Sequence, residues 1–474
     1  MKKSLTINII LILILSSIFA YPQDKQITVI GDSLVGKNIN GKPFREVYGN
    51  VILTQGNVTI KCNKAIQDIV ANNAELIGNV ICTQENITIT TPRGFYYGNQ
   101  RKSWSNSGLK LDDKKVILTA DKGEYYFDEN RAFFQNNVKL YDTVSTMTSE
   151  EMTYFQQENR MVATNNVKIV DKENDIVADT VDYLKYERVA IADGNVKLLN
   201  RVNNLTIYGD HLEDYAKNYY TLANRNPLLI QYDTVFVEKI DTVNKEIIKT
   251  KELSLDTLVI RSKKMQAYRG EINTFIATDS VEMVRNEFSS KNNRTIYYKN
   301  DGRIITYKIA ATEVQPILWQ ANSQLTGDST TIYLEQNKIK KLDVKGSAFI
   351  LSTNKTYPIR KDQISGDFLS ILFDSSKIIR TDVAGSVYSI YYMYDKEEPN
   401  GITKSSSQKA TILFNNNQVN QVRLYGTPNS EYYPENMVQG KEPSYTLPQY
   451  VIYNNRPMKE NILSSYFTKK SETK

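Results

Sequence analysis

A period of 29 residues, held over six copies, constrains this chain more than any other feature. The copies are anchored at Gly49, Gly78, Ser107, Asn136, Asn165 and Gly194. Two residues after the anchors stand Val51, Val80, Leu109, Val138, Val167 and Val196. Four after them stand Leu53, Cys82, Leu111, Leu140, Ile169 and Leu198, and eleven after them Ile60, Ile89, Leu118, Met147, Ile176 and Leu205. A globular enzyme core seldom repeats its apolar residues at one spacing. A stack of similar coils must, because each coil buries its apolar face against its neighbours.

The first two apolar columns lie two residues apart, so on a strand they share a face. Lys139, Lys168 and Lys197 fall between them. Apolar-in, polar-out alternation at period two predicts strands that line one continuous interior. Thirteen residues after the anchor the column is small: Cys62, Thr91, Ala120, Ser149 and Ala178. Eighteen after it stand Gln67, Tyr96, Tyr125, Tyr154 and Tyr183. A small column beside an aromatic one reads either as jigsaw packing or as room for a flexible apolar ligand, and the sequence leaves both open. Asn72, Arg101, Asn130, Asn159 and Arg188 share a column that suits corners, since Asn tolerates left-handed geometry. With two or three corners, a coil holds strands of about five residues each.

The chain has 474 residues, enough for two or three domains or one extended array. Tyr is abundant at 32 and Pro scarce at 12, which favours strands. Residues 1–20 read as a signal peptide: Lys2 and Lys3, an apolar run from Ile7 to Leu15, then Ser16, Ser17 and Ala20 before Tyr21. The run is short for a membrane-spanning helix. A formal charge of +6 is mild for this length, and no concentrated basic stripe points to nucleic acid. The array proper occupies 24–222 as an N-terminal lobe, with a short insertion in copy six that moves an Asp from the place of Tyr208 to Asp210. Residues 223–256 break the pattern and read as an irregular hairpin or linker. A second lobe, 257–456, repeats at longer spacing: Gly327-Asp328 recurs as Gly366-Asp367, and Val344-Lys345-Gly346 as Val383-Ala384-Gly385 and Leu424-Tyr425-Gly426. Residues 457–474 read as a polar, poorly ordered tail.

Candidate chemistry is sparse. Gly31-Asp32-Ser33-Leu34 matches the nucleophile block of GDSL-type esterases. Such an enzyme needs a His to take the Ser proton. The single His, His211, has Tyr208 where the family's Asp stands, and the helices of that fold are missing, so the motif reads as a strand-ending turn. One His cannot build a zinc site. The acidic group Asp171, Glu173, Asp175, Asp179 and Asp182 lacks calcium-loop spacing and reads as corner and outer-face residues. Cys62 and Cys82 are either a disulfide or two small core side chains. No catalytic residue, metal site or cofactor is assigned.

The units "GNVILTQGNVTIKC", "NNVKLYDTVSTMTSEEMTYF", "NNVKIVDKENDIVADTVDYL" and "GNVKLLNRVNNLTIYGDHLEDY" resemble the organic-solvent-tolerance (OstA-like) lipopolysaccharide-transport proteins. The resemblance is strong over about 47–222 and best at Asn166-Val167, Ala178-Asp179 and Tyr183. It implies an all-β fold, a repetitive twisted β-jellyroll of stacked strands in two lobes. It also implies a periplasmic, non-enzymatic component whose apolar interior shelters lipopolysaccharide acyl chains. The lipid-facing wall would then be Val51, Leu53, Ile60, Val80, Ile89, Leu109, Leu111, Leu118, Val138, Leu140, Met147, Val167, Ile169, Ile176, Val196, Leu198 and Leu205. The implied partners are the lipid itself and other transport proteins, or a second copy, joined end to end by strand pairing. The chain is longer than the family's small bridge protein and too short for this array plus a large barrel. The competing reading is a secreted β-solenoid that binds or cleaves polysaccharide. Such proteins cluster acidic, Arg or aromatic residues on an exposed face, whereas the Tyr column here keeps the phase of the fold.

Overall fold

The computed structural model describes residues 26–472 apart from 244–245, 337, 375–376 and 416–417, with the side chains of 234–255 and 469–472 also outside the description. The leader reading of residues 1–20 therefore lies outside the described residues. The fold is all-β, built from antiparallel strands joined mostly to their sequence neighbours. It forms two compact units, one of residues up to 172 with 177–186, the other of 173–176 with 187 onward. No described helix is long and apolar enough to cross a membrane.

The repeat anchors are themselves corners. Lys42–Gln55 pairs with Val58–Asp68, but the register slips between Tyr48 and Val51. Gly49 and Asn50 at that slip both have positive φ, 68° and 43°. The same left-handed pair recurs at Gly78-Asn79, Asn136-Asn137, Asn165-Asn166 and Gly194-Asn195, and each register slip around them lies in the long strand of a coil. An extra residue bends a strand and sharpens its twist. Each long strand thus becomes two arms of about five residues, the length the 29-residue period predicts. The column Asn72, Arg101, Asn130, Asn159 and Arg188 is left-handed as expected, and turns the chain between strands.

In the first unit the alternation does what it promised. Leu53 pairs with Ile60, Ile60 with Cys82, Cys82 with Ile89, Ile89 with Leu111, and Leu111 with Leu118. The row continues through Leu140 and Met147 to Ile169. Two of the sequence columns are therefore alternate members of one cross-strand row. The small column lies opposite the valine column, as in Val51 with Cys62, Leu109 with Ala120 and Val138 with Ser149. Small faces large directly, so this column is packing.

The second unit repeats the corner with a different partner sequence. Gly327-Asp328 and Gly366-Asp367 meet Val344-Lys345-Gly346 and Val383-Ala384-Gly385: Asp328 N donates to Gly346 O at 2.9 Å, and Asp328 and Asp367 crowd the positive-φ glycines Gly346 and Gly385. In the first unit Gly31-Asp32 meets Val47-Tyr48-Gly49 in the same way, with Asp32 N to Gly49 O at 2.9 Å and Asn50 Nδ2 to Asp32 Oδ2 at 3.0 Å. A Cβ on Gly31 would stand 2.6 Å from Val47 Cγ1, and one on Gly366 2.6 Å from Val383 Cγ1. The esterase-like block is one instance of a recurrent corner.

Leu228–Val243 and Glu246–Arg261 form a long antiparallel hairpin across most of 223–256. The end of the chain differs from the polar, poorly ordered tail that its composition suggests. Residues 434–472 run as a strap over one face of the second unit and finish in the helix Lys459–Glu472. Val438 and Leu447 pack on Phe349, Leu351, Ile390, Tyr392 and Ile402. Ile462 and Tyr466 pack on Leu228, Ile230, Val259 and Val284. Gln363 and Gln324 each bind strap backbone twice: Tyr445 O (3.0 Å) and Leu447 N (2.8 Å), then Val451 O (2.8 Å) and Tyr453 N (2.9 Å). Buried Arg360 holds Glu435 and, at 3.2 Å, Glu442. The spacing of Ile462, Leu463, Tyr466 and Phe467 is a helical stripe that the polar average conceals.

Candidate functional site: an apolar interior with a polar seam

The interior of the first unit is lined by the predicted residues. Val51, Leu53, Ile60, Val80, Ile89, Leu109, Leu111, Leu118, Val138, Leu140, Met147 and Val167 are all buried, most of them almost completely. Ile169, at the end of the row, is half-buried. Of the predicted wall residues in the second unit, Ile176, Val196 and Leu198 are buried and Leu205 is half-buried. The insertion in copy six explains Leu205. It pairs with Asn200 at the hairpin end, and Ile207 takes the row position opposite Leu198.

The two arms of the first unit meet at their tips in a line of polar contacts. Gln55, Gln84, Asp113 and Asp142 end their second arms six residues after each anchor and are all buried. Gln55 Nε2 donates to Gly98 O (3.1 Å), and Gln84 Nε2 to Phe127 O (3.2 Å). Tyr96, at the tip of a first arm, donates its hydroxyl to Gln55 Oε1 (2.6 Å), and Tyr154 donates to Asp113. Arg101 reaches Gln55 O (3.2 Å) and Asn57 Oδ1 (2.7 Å), and Lys115 Nζ reaches Asn159 Oδ1 (3.4 Å). Burial pushes the Tyr96, Tyr125 and Tyr154 hydroxyls well above their usual pKa, so they stay protonated and able to donate. The tyrosine column therefore closes the seam. A cleft lined by Asp113, Lys115, Asn130 and Asn159 lies on this line. Sequence periodicity identified the aromatic column but not its bonding partners, which stand in another coil.

The remaining candidates are structural. Cys62 and Cys82 are buried and unbonded to each other, and Cys62 Sγ donates to Lys64 O (3.2 Å). Burial raises the pKa of both thiols. His211 lies between Asp193 (Nδ1 to Oδ1, 2.7 Å) and Glu213 (Nε2 to Oε1, 2.9 Å). Burial disfavours its charged form, but the bonds to Glu213 and Asp193 outweigh it and raise its pKa above 6.5. In the acidic group, Asp182 is held by Arg160 and Asp175 by Arg201. Among the described residues no cluster of three or more His, Cys, Asp or Glu is placed to hold a metal.

Comparison with known proteins adds a partial likeness. Residues 25–179 match the model of a family described as OstA-like protein. No curated protein matches the chain. The crystal structure of LptH, described as the LptA homologous periplasmic component of the lipopolysaccharide transport device from Pseudomonas aeruginosa, aligns with 32% of this chain and 99% of its own at 15% identity. Its TM-score is 0.17, too low to carry an argument. Over residues 25–179, then, the chain is similar to the OstA-like family.

Proposed function

We propose that this protein is a periplasmic component of lipopolysaccharide transport, and that the first unit shelters acyl chains between its two arms. The observation that carries the reading is the unbroken apolar row from Leu53 to Ile169, in a segment that matches the OstA-like family model. A multi-chain lipid cannot cross water bare, since each methylene kept from water is worth about 0.8 kcal/mol. The interior residues have almost no solvent contact, so an acyl chain enters by parting the seam. Each seam hydrogen bond contributes about 1 kcal/mol net, so burial of a few methylenes offsets several of them. No catalysis is involved in this role.

The ends of the array support assembly. Thr28–Ile30 and Ser33–Ile39 each pair on one side only, with Lys42–Gln55, among the described residues. Gln418–Tyr425 and Asn429–Tyr433 likewise pair only with Glu398–Asn415. Unpaired strand edges are templates for another strand, so we assign these to end-to-end contacts with transport partners or a second copy.

A photo-crosslinking amino acid at Leu140, with Lys139 as its outward-facing neighbour, tests the cargo. Lipopolysaccharide adducts at 140 and none at 139 are expected in the native envelope. Equal labelling at both positions, or none at either, would overturn the reading.

A further inference from the structure

A cleft of about 440 Å³ in the second unit is lined by Trp319, Lys355, Lys361, Tyr453 and Arg456, among others, and no carboxylate is among its lining residues. Its three cations have no ion-pair partner among the described residues. Their donors are only partly spent. Lys361 Nζ uses two of its three N–H donors, on Thr353 Oγ1 (3.1 Å) and Pro358 O (2.8 Å). Arg456 uses three of five, on Ser289 Oγ (3.1 Å), Ala321 O (2.7 Å) and Glu287 O. Lys355 is exposed and uses none of its own. Burial lowers the pKa of both Lys361 and Arg456; at Arg456 it outweighs the opposing charge of Glu287. Neutral partners satisfy donors without cancelling charge, so the cleft keeps a concentrated positive potential.

We propose that this cleft binds a phosphate-bearing group of the kind carried by a phosphorylated sugar. Two free guanidinium N–H groups and up to four ammonium N–H groups match an anion with several oxygens. Half-buried Tyr453 supplies a flat face on which a sugar ring can rest, with buried Trp319 in the cleft wall. The volume falls in the usual range for small-ligand clefts. Arg456 belongs to the C-terminal strap, so the site exists only while the strap is seated on the second unit. That the phosphate comes from the headgroup of the cargo rests on the function proposed above; that the cleft takes phosphate does not.

The test is calorimetric titration of the full chain with inorganic pyrophosphate, glucosamine 1-phosphate and unphosphorylated glucosamine. Both phosphorylated probes should bind and glucosamine should not. Lys355→Gln should weaken binding about tenfold, as loss of one charge-assisted contact does, and Lys361→Gln at least as much. Lys355 is exposed, so its variant keeps the fold, and an unchanged melting transition checks the other. A preference for glucosamine 1-phosphate assigns the site to a sugar headgroup; equal affinity assigns it to phosphate alone. No binding at about 10 mM probe, or binding indifferent to both variants, overturns the proposal. If pyrophosphate binds while Leu140 captures no lipid, the site stands and the cargo reading falls.

Discussion

One row of the sheet shows how the two units differ. On the outer face of the first unit, beside the apolar interior row, register links Thr54, Thr59, Thr83, Thr88, Asp112, Ile117, Tyr141 and Thr146. In the second unit the same outer row runs Ile230, Val259, Val284, Ser289, Trp319, Gln324, Leu351, Gln363 and Ile390. The first row is mostly threonine and half-exposed; the second is mostly apolar and lies under the strap. One strand geometry thus serves two purposes. The first unit has a single apolar face, and a polar seam with the ring contacts of Phe127 to Tyr96 and Tyr125 holds its arms together at the tips. The second is buried on both faces of one arm and tied lengthwise by the strap. Under the function proposed above, a unit that opens for cargo gains from the first design, and a unit that holds its shape gains from the second.

The harshest test of this contrast is a buried carboxylate. Leu140→Asp places a charge in the apolar row of the first unit, where Leu140 is 1% exposed. Denaturant unfolding should show a loss of about 3–5 kcal/mol, or no folded first unit at all. Lys139→Asp, one residue away on the outer face, should stay within about 0.5 kcal/mol. Comparable losses at the two positions would mean that the faces are not distinct.

The second test moves to the outer row. Leu351→Ala should cost about 2–4 kcal/mol, because Leu351 is enclosed by Val438, Leu447 and its cross-strand neighbours. Thr88→Ala, in the matching row of the first unit, should cost less than about 0.5 kcal/mol. Chain termination after Tyr433 should bring Leu351→Ala close to the threonine value, since the outer row is then already uncovered. Hydrogen exchange on the same protein should rise over Ile317–Gln320 and Lys338–Thr353 and remain as before over the first unit.

Much of this is legible in the sequence, and the reasons are physical. A repeat in phase exposes the interior because every coil must present the same face to its neighbours, so Leu53, Leu111 and Leu140 could be assigned by counting. The all-β fold and the left-handed corner column followed from the same periodicity. What counting could not reach is contact between unlike positions. Tyr96 meets Gln55, and Tyr154 meets Asp113, across coils whose separation depends on where the strands bend. The strap escaped for another reason: its polar average masks Ile462 and Tyr466, and its seat is encoded elsewhere. That seat did leave a trace, since Leu228-Leu229-Ile230, Ile317-Leu318-Trp319 and Phe349-Ile350-Leu351 are unbroken apolar runs where the first unit alternates. Consecutive apolar residues in a strand mean that both faces are buried, and something must cover the second.

The finest distinction between the units is their response to pH, because the one histidine belongs to the second. His211 bonds both Asp193 and Glu213, and its pKa in the folded chain lies above the 6.5 of a free side chain. A group whose pKa is raised on folding adds stability that is complete below its unfolded value and fades as pH climbs through its folded value. The second unit should therefore lose a small increment of stability as pH rises from about 6.5 past the folded pKa of His211. His211→Gln should remove that slope and leave the first unit's pH profile as it is. The difference between wild type and variant is the quantity to measure, because Asp362, pushed up to about 7 by burial, also titrates in this unit. A His211→Gln protein whose second unit keeps the full wild-type slope above pH 6.5 would show that Asp193 and Glu213 hold the ring without stabilising its charge.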